Sequence, residues 1–446
     1  MKPASVLLAV GCLLSVASAQ WVDTTVWSGG WPLDVVYNSA RNWIYSANEG
    51  SPYVTVTDGA TNGNVAYVNV DSFYWKLAYN SVNNKVYCAS RAQESANDIV
   101  VIDGNTNRVI ARIAVDIWSF ALVYNPTNNR VYCASCGGGN VAVIDGAADT
   151  ITATIAVGVA PLALVCNAST NKIYCANSTS DDVTVIDGAG DTVIKTIAVG
   201  EAPWSLVCNA TSNKVYVGNR DSDNVTVIDG VSDTVPTIIA AGNAPMSMGC
   251  NPIDNKVYCG NEDSDDITII DGAADTVITT VRAGTDPVAL LYNAINNKVY
   301  CVNQGSWNVT VIHGATNAIV KAIGVGVSPY AIAWNPVQNR MYVVNSFHGT
   351  MTVIRDSMPP GVEEREASDV RNTASGATVV RGVLALRELP VAGHESQVDL
   401  LDISGRKVMS LLPGPNDVRH LAPGVYFLRR ANGDGRVANS RVIVAR

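Results

Sequence analysis

The chain has 446 residues, 48% of them hydrophobic and 15% charged, with 36 Gly but only 4 Phe and 4 His. A formal net charge of −9 makes nucleic acid an unfavourable partner, and four histidines leave little material for His-based catalysis or a His-rich metal site. Low charge with abundant Gly, Asn, Val and Thr reads as an all-β protein rich in turns.

Residues 1–19 read as a secretory signal peptide. Lys2 precedes an apolar run over 6–16, and Ala17-Ser18-Ala19 supplies the small-residue cleavage pattern. Cleavage after Ala19 leaves Gln20 as the mature N-terminus, and no later stretch is long and apolar enough for a transmembrane helix.

Residues 20–358 are built from an internal repeat. Asn-x3-Asn-x2-Tyr ends at Tyr45, Tyr87, Tyr132, Tyr174, Tyr216, Tyr258, Tyr300 and Tyr342, spaced by 42 residues except for 45 between Tyr87 and Tyr132. Asp-Gly follows at Asp58, Asp103, Asp145, Asp187, Asp229 and Asp271, then His313-Gly314 and Arg355-Asp356. The unit over 202–242 predicts four strands, at 204–208, 214–218, 225–228 and 235–240. Asn-x3-Asn spans the first turn, and the Gly of Asp-Gly is expected to supply φ > 0 in the third. Four strands in ~42 residues fit a propeller blade, with a β-solenoid as the rival. The eighth unit stops after its third strand, while 22–27 matches a missing fourth strand. The expected fold is therefore an eight-bladed β-propeller whose last blade is closed by the N-terminal strand.

Units such as Asn213-Lys214-Val215-Tyr216-Val217-Gly218-Asn219 followed by Val225-Thr226-Val227-Ile228-Asp229-Gly230 resemble the YVTN-type propeller repeats of prokaryotic surface-layer and cell-surface proteins. That resemblance implies the fold and a cell-surface setting, and it brings no catalytic motif with it.

Loops joining strands two to three and four to one share a ring face, and the units differ most there, as at 49–53, 91–98, 220–224 and 262–266. The mouth position near the start of each first strand holds Leu33, Trp75, Phe120, Leu162, Trp204, Met246, Val288 and Tyr330. These residues either pack between blades or ring the channel mouth as a platform for a sugar or peptide. The position after them is mostly small, apart from Asp34 and Lys76. Asp221, Asp223, Asp263 and Asp265 are hard oxygen donors in flexible turns, read either as solvated loops or as weak Ca²⁺ ligands. No other cofactor is expected.

Nine cysteines remain in the mature chain. Their exchange with Val, Ser and Tyr between repeats points to packing, although Cys166 with Cys175 and Cys250 with Cys259 lie in facing strands and could pair. Cys133-x2-Cys136 stands alone, and His313 and His348 have no nucleophile or second ligand at a meaningful spacing.

Residues 359–378 read as a linker, and 379–446 as a small C-terminal β-sandwich. Leu401-Asp402-Ile403-Ser404-Gly405-Arg406-Lys407-Val408, Leu421-Ala422-Pro423-Gly424-Val425-Tyr426-Phe427-Leu428 and the ending Val442-Ile443-Val444-Ala445-Arg446 resemble the sorting domain of type IX secretion cargo. The resemblance implies export through that machinery; an ordinary terminal β-sandwich is the plainer reading. The expected protein is thus secreted or held at a bacterial cell surface. It binds an extracellular protein, peptide or glycan without catalysis, in adhesion or as a surface-layer subunit. The alternative is an extracellular hydrolase or lyase acting on a lactone or polysaccharide, with Asp34 and Lys76 as its first candidates.

Overall fold

A computed structural model describes residues 20–71, 74–90 and 97–356, and in the C-terminal segment 377–380, 383–386, 398–402, 406–411, 414–417, Leu421, 424–431 and 437–444. The expected signal peptide and all but the end of the expected linker lie outside these residues, as does most of the insertion in unit two. Among the described residues every regular element is a strand, and no helix is long and apolar enough to cross a membrane.

Eight four-stranded antiparallel sheets follow one another around an axis. Seven are made of consecutive strands, the first from Pro32–Asn38, Trp43–Asn48, Tyr53–Asp58 and Asn64–Asn69. The eighth takes Gln20–Trp27 as its outer strand, with Gln20 opposite Asp356 and Trp27 opposite Thr350. First strands of neighbouring blades lie side by side, including those of blades one and eight, so the ring is closed. The fold is an eight-bladed β-propeller.

Outer strands are largely exposed, and most bury one aliphatic residue near the end, such as Ile155, Ile197 or Ile239. In the blade used as the sequence template that strand begins at Thr237, shorter than expected, because Pro236 has no N–H for the ladder.

The core lies between blades. Tyr216, Val225, Val227 and Ile239 of blade five pack on Val257, Cys259 and Ile270 of blade six, and blades four and five meet through the equivalent residues. Burying an aliphatic side chain stabilises by roughly 1.5–3 kcal/mol, so each blade depends on its neighbour for most of its hydrophobic stabilisation.

A polar staple fixes how neighbours meet. The eight repeat tyrosines have 0% exposure. Seven of their hydroxyls donate to an acid or amide side chain in the next blade's third turn, among them Tyr87 to Asp149 at 2.7 Å, Tyr174 to Asp233 at 2.8 Å, Tyr216 to Asp275 at 2.7 Å and, across the seam, Tyr342 to Asn62 at 2.9 Å, while Tyr258 donates to the Gly314 carbonyl of that turn at 3.4 Å. The same carboxylate pairs with a cation two residues before the tyrosine, as Lys85 does with Asp149 and Lys172 with Asp233. In the last junction Asp356 does this work, accepting from Tyr300 (2.6 Å), Lys298 (2.9 Å) and Gln20 of the closing strand (2.8 Å).

The asparagines form a second ring. In Asn167 the side-chain oxygen accepts from the Ser169 N–H, while its Nδ2 reaches Asn213 Oδ1 of the next blade at 2.7 Å. The pattern recurs from Asn80 to Asn129 and closes from Asn335 to Asn42. It also corrects the role expected for Asp-Gly. Those glycines do not have positive φ; the left-handed residues are the Asp or Asn three positions after the Gly, such as Asp233 at φ 54°. Glycine is required because a Cβ on Gly230 would lie 2.6 Å from the Asn213 carbonyl oxygen and 2.7 Å from Asn167 Nδ2.

The C-terminal segment forms a five-stranded sheet, with Ala377–Val380 parallel to Val437–Val444 at one edge, and a two-stranded ribbon of Val383–Leu386 with Gly414–Asp417. The Ser404-Gly405 turn expected there lies outside the described residues.

Gly230→Ala should cost about 1–3 kcal/mol through overlap with the asparagine ring. Gly324→Ala, with nothing within 4 Å, should be neutral to about 0.5 kcal/mol; urea denaturation of both variants checks this.

Burial pushes Tyr258 and Tyr342 up to about 12 and the other staple tyrosines upward as well. Unfolded tyrosines ionise near pH 10, so stability present below that pH should fall as pH rises, by up to ~1.4 kcal/mol per tyrosine per pH unit. One cooperative transition between about pH 10.5 and 12 is expected, with tyrosinate absorbance and loss of circular dichroism coinciding.

Candidate functional site

Every first strand carries a β-bulge at the mouth position. Pro203 lies opposite Asn219 and Ser205 opposite Gly218, so Trp204 has no partner in the register; the same step recurs in all eight blades. A bulge re-aims the side chain it carries. The period-two alternation that would place this residue between blades is therefore broken at that residue. The backbone just before is held too: Ala202 is left-handed at φ 50°, and its carbonyl accepts from the Arg220 N–H at 3.0 Å.

The consequence is an open cavity of about 760 Å³ at the mouth of the central channel. Its wall includes Trp75, Phe120, Leu162, Trp204, Met246, Val288 and Tyr330. Leu33 does not reach it and is buried. Trp75 stands edge-on to Phe120 at 5.7 Å and to Tyr330 at 5.9 Å, forming one continuous aromatic arc across blades eight to three. Three blades round from Trp75, Trp204 is 37% exposed and carries the Arg220 guanidinium over its ring at 5.7 Å.

The charged groups of the wall, Asp34, Lys76 and Glu262, each face an opposite charge, that of Glu262 being Arg220, which lies beside the wall over Trp204. Asp34 accepts from the Leu77 N–H at 2.8 Å and from the Val35 N–H at 3.0 Å. Burial raises its carboxyl above the ordinary range, while the neighbouring Lys76 and the two N–H groups pull it back. Lys76 lies 5.9 Å from the Trp75 ring centre. Arg220 reaches Glu262 at 3.7 Å and Asp221 at 3.4 Å. Burial raises Glu262; Arg220 opposes the shift, and Asp263 and Asp286 add to it. Gln304 completes this side, its amide donating to Ser328 Oγ at 3.0 Å.

Arg220, Glu262 and Gln304 were legible only as members of variable loops. The signal that identifies them is position, since each directly follows the asparagine that ends a second strand.

The Asp-rich loops have turn roles. Asp223 and Asp265 are left-handed, and each accepts from a backbone N–H at the start of the next blade, Ala244 at 2.9 Å and Asp286 at 3.2 Å. Asp221 meets Arg220, and Asp263 sits close enough to raise Glu262 and Asp286. Among the described residues no three His, Cys, Asp or Glu side chains converge as a metal would require. His313 and His348 accept from backbone N–H groups of nearby turns, those of Thr316 and Val327.

The nine cysteines are free thiols. Cys166 lies opposite Ile173 and Cys175 opposite Leu164, and Cys250 and Cys259 are offset in the same way, so the expected pairs do not form. Burial pushes Cys133 and Cys208 up to about 11, and Cys166 and Cys250 to about 12.

No protein-family model matches this chain, and no curated protein matches it in sequence. Among solved structures it is similar to the Kuenenia stuttgartiensis hydrazine synthase, with a TM-score of 0.53 and 18% identity over 64% of this chain and 96% of that one. At that identity the likeness is one of propeller fold.

Cys136, Cys166, Cys208 and Cys250 are all partly buried, but burial raises the last three to about 11 or 12, so at pH 8 a thiol reagent should label Cys136 fastest and Cys136→Ser should remove the rapid phase. Guanidinium should expose nine thiols in the chain lacking residues 1–19; fewer would mean a disulfide.

Proposed function

We propose that this protein is a secreted, cell-surface β-propeller that binds an extracellular ligand in the channel mouth and performs no chemistry on it. The observation that carries the reading is the ring of bulges. It delivers unlike side chains into one open cavity from seven of eight near-identical, rigid supports. Catalysis would call for a nucleophile or an acid–base pair aimed at a common point. Instead, the wall carboxylate Asp34 is engaged by two backbone N–H groups, and the hydroxyl of Ser247, another wall residue, donates to the Pro287 carbonyl.

The proposed setting is a bacterial surface reached through the signal at 1–19, with the segment after 378 as a type IX sorting domain. The YVTN resemblance and the C-terminal motifs support it. A weakly held Ca²⁺ in the Asp-rich loops belongs to the same proposal as an accessory, not as part of the ligand site.

Intact mass and terminal sequencing of protein from the native cell surface should give Gln20 as the first residue and no segment after about residue 378. Arrays of extracellular glycans, peptides and matrix proteins should retain the mature chain and lose at least tenfold with a Trp75→Ala/Trp204→Ala double variant. Turnover of a lactone or polysaccharide, or no difference between the two proteins, would overturn the reading.

A further inference from the structure

We propose that the ligand of the channel mouth is an uncharged carbohydrate, a short oligosaccharide or a chain end entering the 760 Å³ cavity; this rests on the binding reading above. Three observations converge on that chemistry.

The first is the apolar surface. Trp75 and Trp204 stand three blades apart, and Trp204 is more than a third exposed inside an otherwise packed ring. Flat aromatic faces with polar surroundings suit the C–H face of a pyranose, which is apolar on one side and hydroxyl-bearing at its edge.

The second is charge. Each tryptophan already has a cation of its own chain over the ring, Lys76 at 5.9 Å and Arg220 at 5.7 Å. A cationic ligand would have to displace a built-in partner from either platform. A polyanion would have to pass Asp221, Asp263 and Asp286 at the rim and gains no unopposed cation inside, because Lys76 faces Asp34 and Arg220 faces Glu262. The wall is therefore self-neutralised and offers a net-charged ligand little.

The third is the spacing of donors and acceptors. Arg220 and Glu262 are 3.7 Å apart beside Trp204, with the Gln304 amide on the same side of the cavity. A donor and an acceptor at that separation can hydrogen-bond two adjacent hydroxyls of one sugar, the guanidinium donating to one oxygen while the carboxylate accepts from the other. Cavities of this size enclose ligands of drug-like bulk, which fits a short oligosaccharide.

The test uses the mature chain and isothermal titration with neutral gluco-, manno- and N-acetylglucosamine oligosaccharides, a uronate oligomer, and basic and aromatic-rich peptides. A neutral oligosaccharide should bind, with an affinity that changes less than twofold between about 50 and 500 mM NaCl, since no net charge is screened. Trp204→Ala and Glu262→Gln should each weaken it at least tenfold, while Trp204→Phe should restore most of the loss. Circular dichroism of each variant, Trp204 being exposed, confirms the fold.

Preferential binding of the uronate or a basic peptide, with affinity falling steeply with salt, overturns the proposal. So does glycan binding that Trp204→Ala leaves unchanged. A peptide bound in the cavity and lost in Trp204→Ala overturns the carbohydrate class while leaving the binding reading intact. Failure of every probe at millimolar concentration overturns both.

Discussion

The structure depends on one contact repeated around the ring, a buried tyrosine hydroxyl donating to the acid or amide in the next blade's turn. A tyrosine sealed in the core carries a polar atom that must be satisfied, and only the neighbouring blade can satisfy it. Hydrophobic packing between blades is tolerant of small rotations; a hydrogen bond of 2.7 Å shared with a lysine on the same carboxylate is not. The junction geometry is thereby set by polar groups, while apolar burial supplies most of the stabilisation. At the seam, Asp356 stands where other units have glycine, yet its carboxylate takes the same tyrosine and lysine donors and adds Gln20 of the closing strand. Lys298 and Asp356, at 2% and 0% side-chain exposure, form the most deeply buried of these ion pairs. A buried pair of this kind specifies geometry more than it adds net stability.

These demands fall on one end of the barrel of blades and on the surfaces between them. The asparagine ring, the glycines pressed against it and the tyrosine staples all gather where strands one and two, and three and four, are joined. The other end is comparatively free of them. Its loops are held by backbone hydrogen bonds such as Arg220 N–H to Ala202 and by a few repeated side chains such as Asn219 and Asp223, and the bulged mouth position is not among them. Cavity-facing residues can therefore differ from blade to blade without disturbing the contacts that hold the ring.

Much of the propeller was legible from the repeat because that repeat is dictated by local backbone needs. Asn213 and its counterparts must be left-handed, strands alternate, and the missing fourth strand of the eighth blade had to come from the N-terminus. What escaped was whatever depends on a neighbour. Gly230 was explained by its own dihedral angles, when the true constraint is the approach of Asn213 in its own blade and Asn167 in the preceding one. Asp275, visible only as one more turn residue, is the staple's acceptor. The bulge at Trp204 leaves no mark in composition, since one unpaired residue alters register and not residue type. The strand Gly414–Asp417, with a proline inside it, reads as a turn by any local rule.

Closure by the first strand has a consequence in time. Gln20 and Asp356 are joined by a hydrogen bond across 336 positions of sequence. A chain made or exported from its N-terminus presents its closing strand first, and must hold that strand without a partner until the last unit emerges. Seven junctions can form in order, but the ring becomes continuous only when its two ends meet, and contacts between such distant residues carry the largest loop-closure cost. Completion of the cavity thus coincides with completion of the last blade. A truncated product, however many blades it contains, is left with an open circle and an unsatisfied edge, a ready target for quality control.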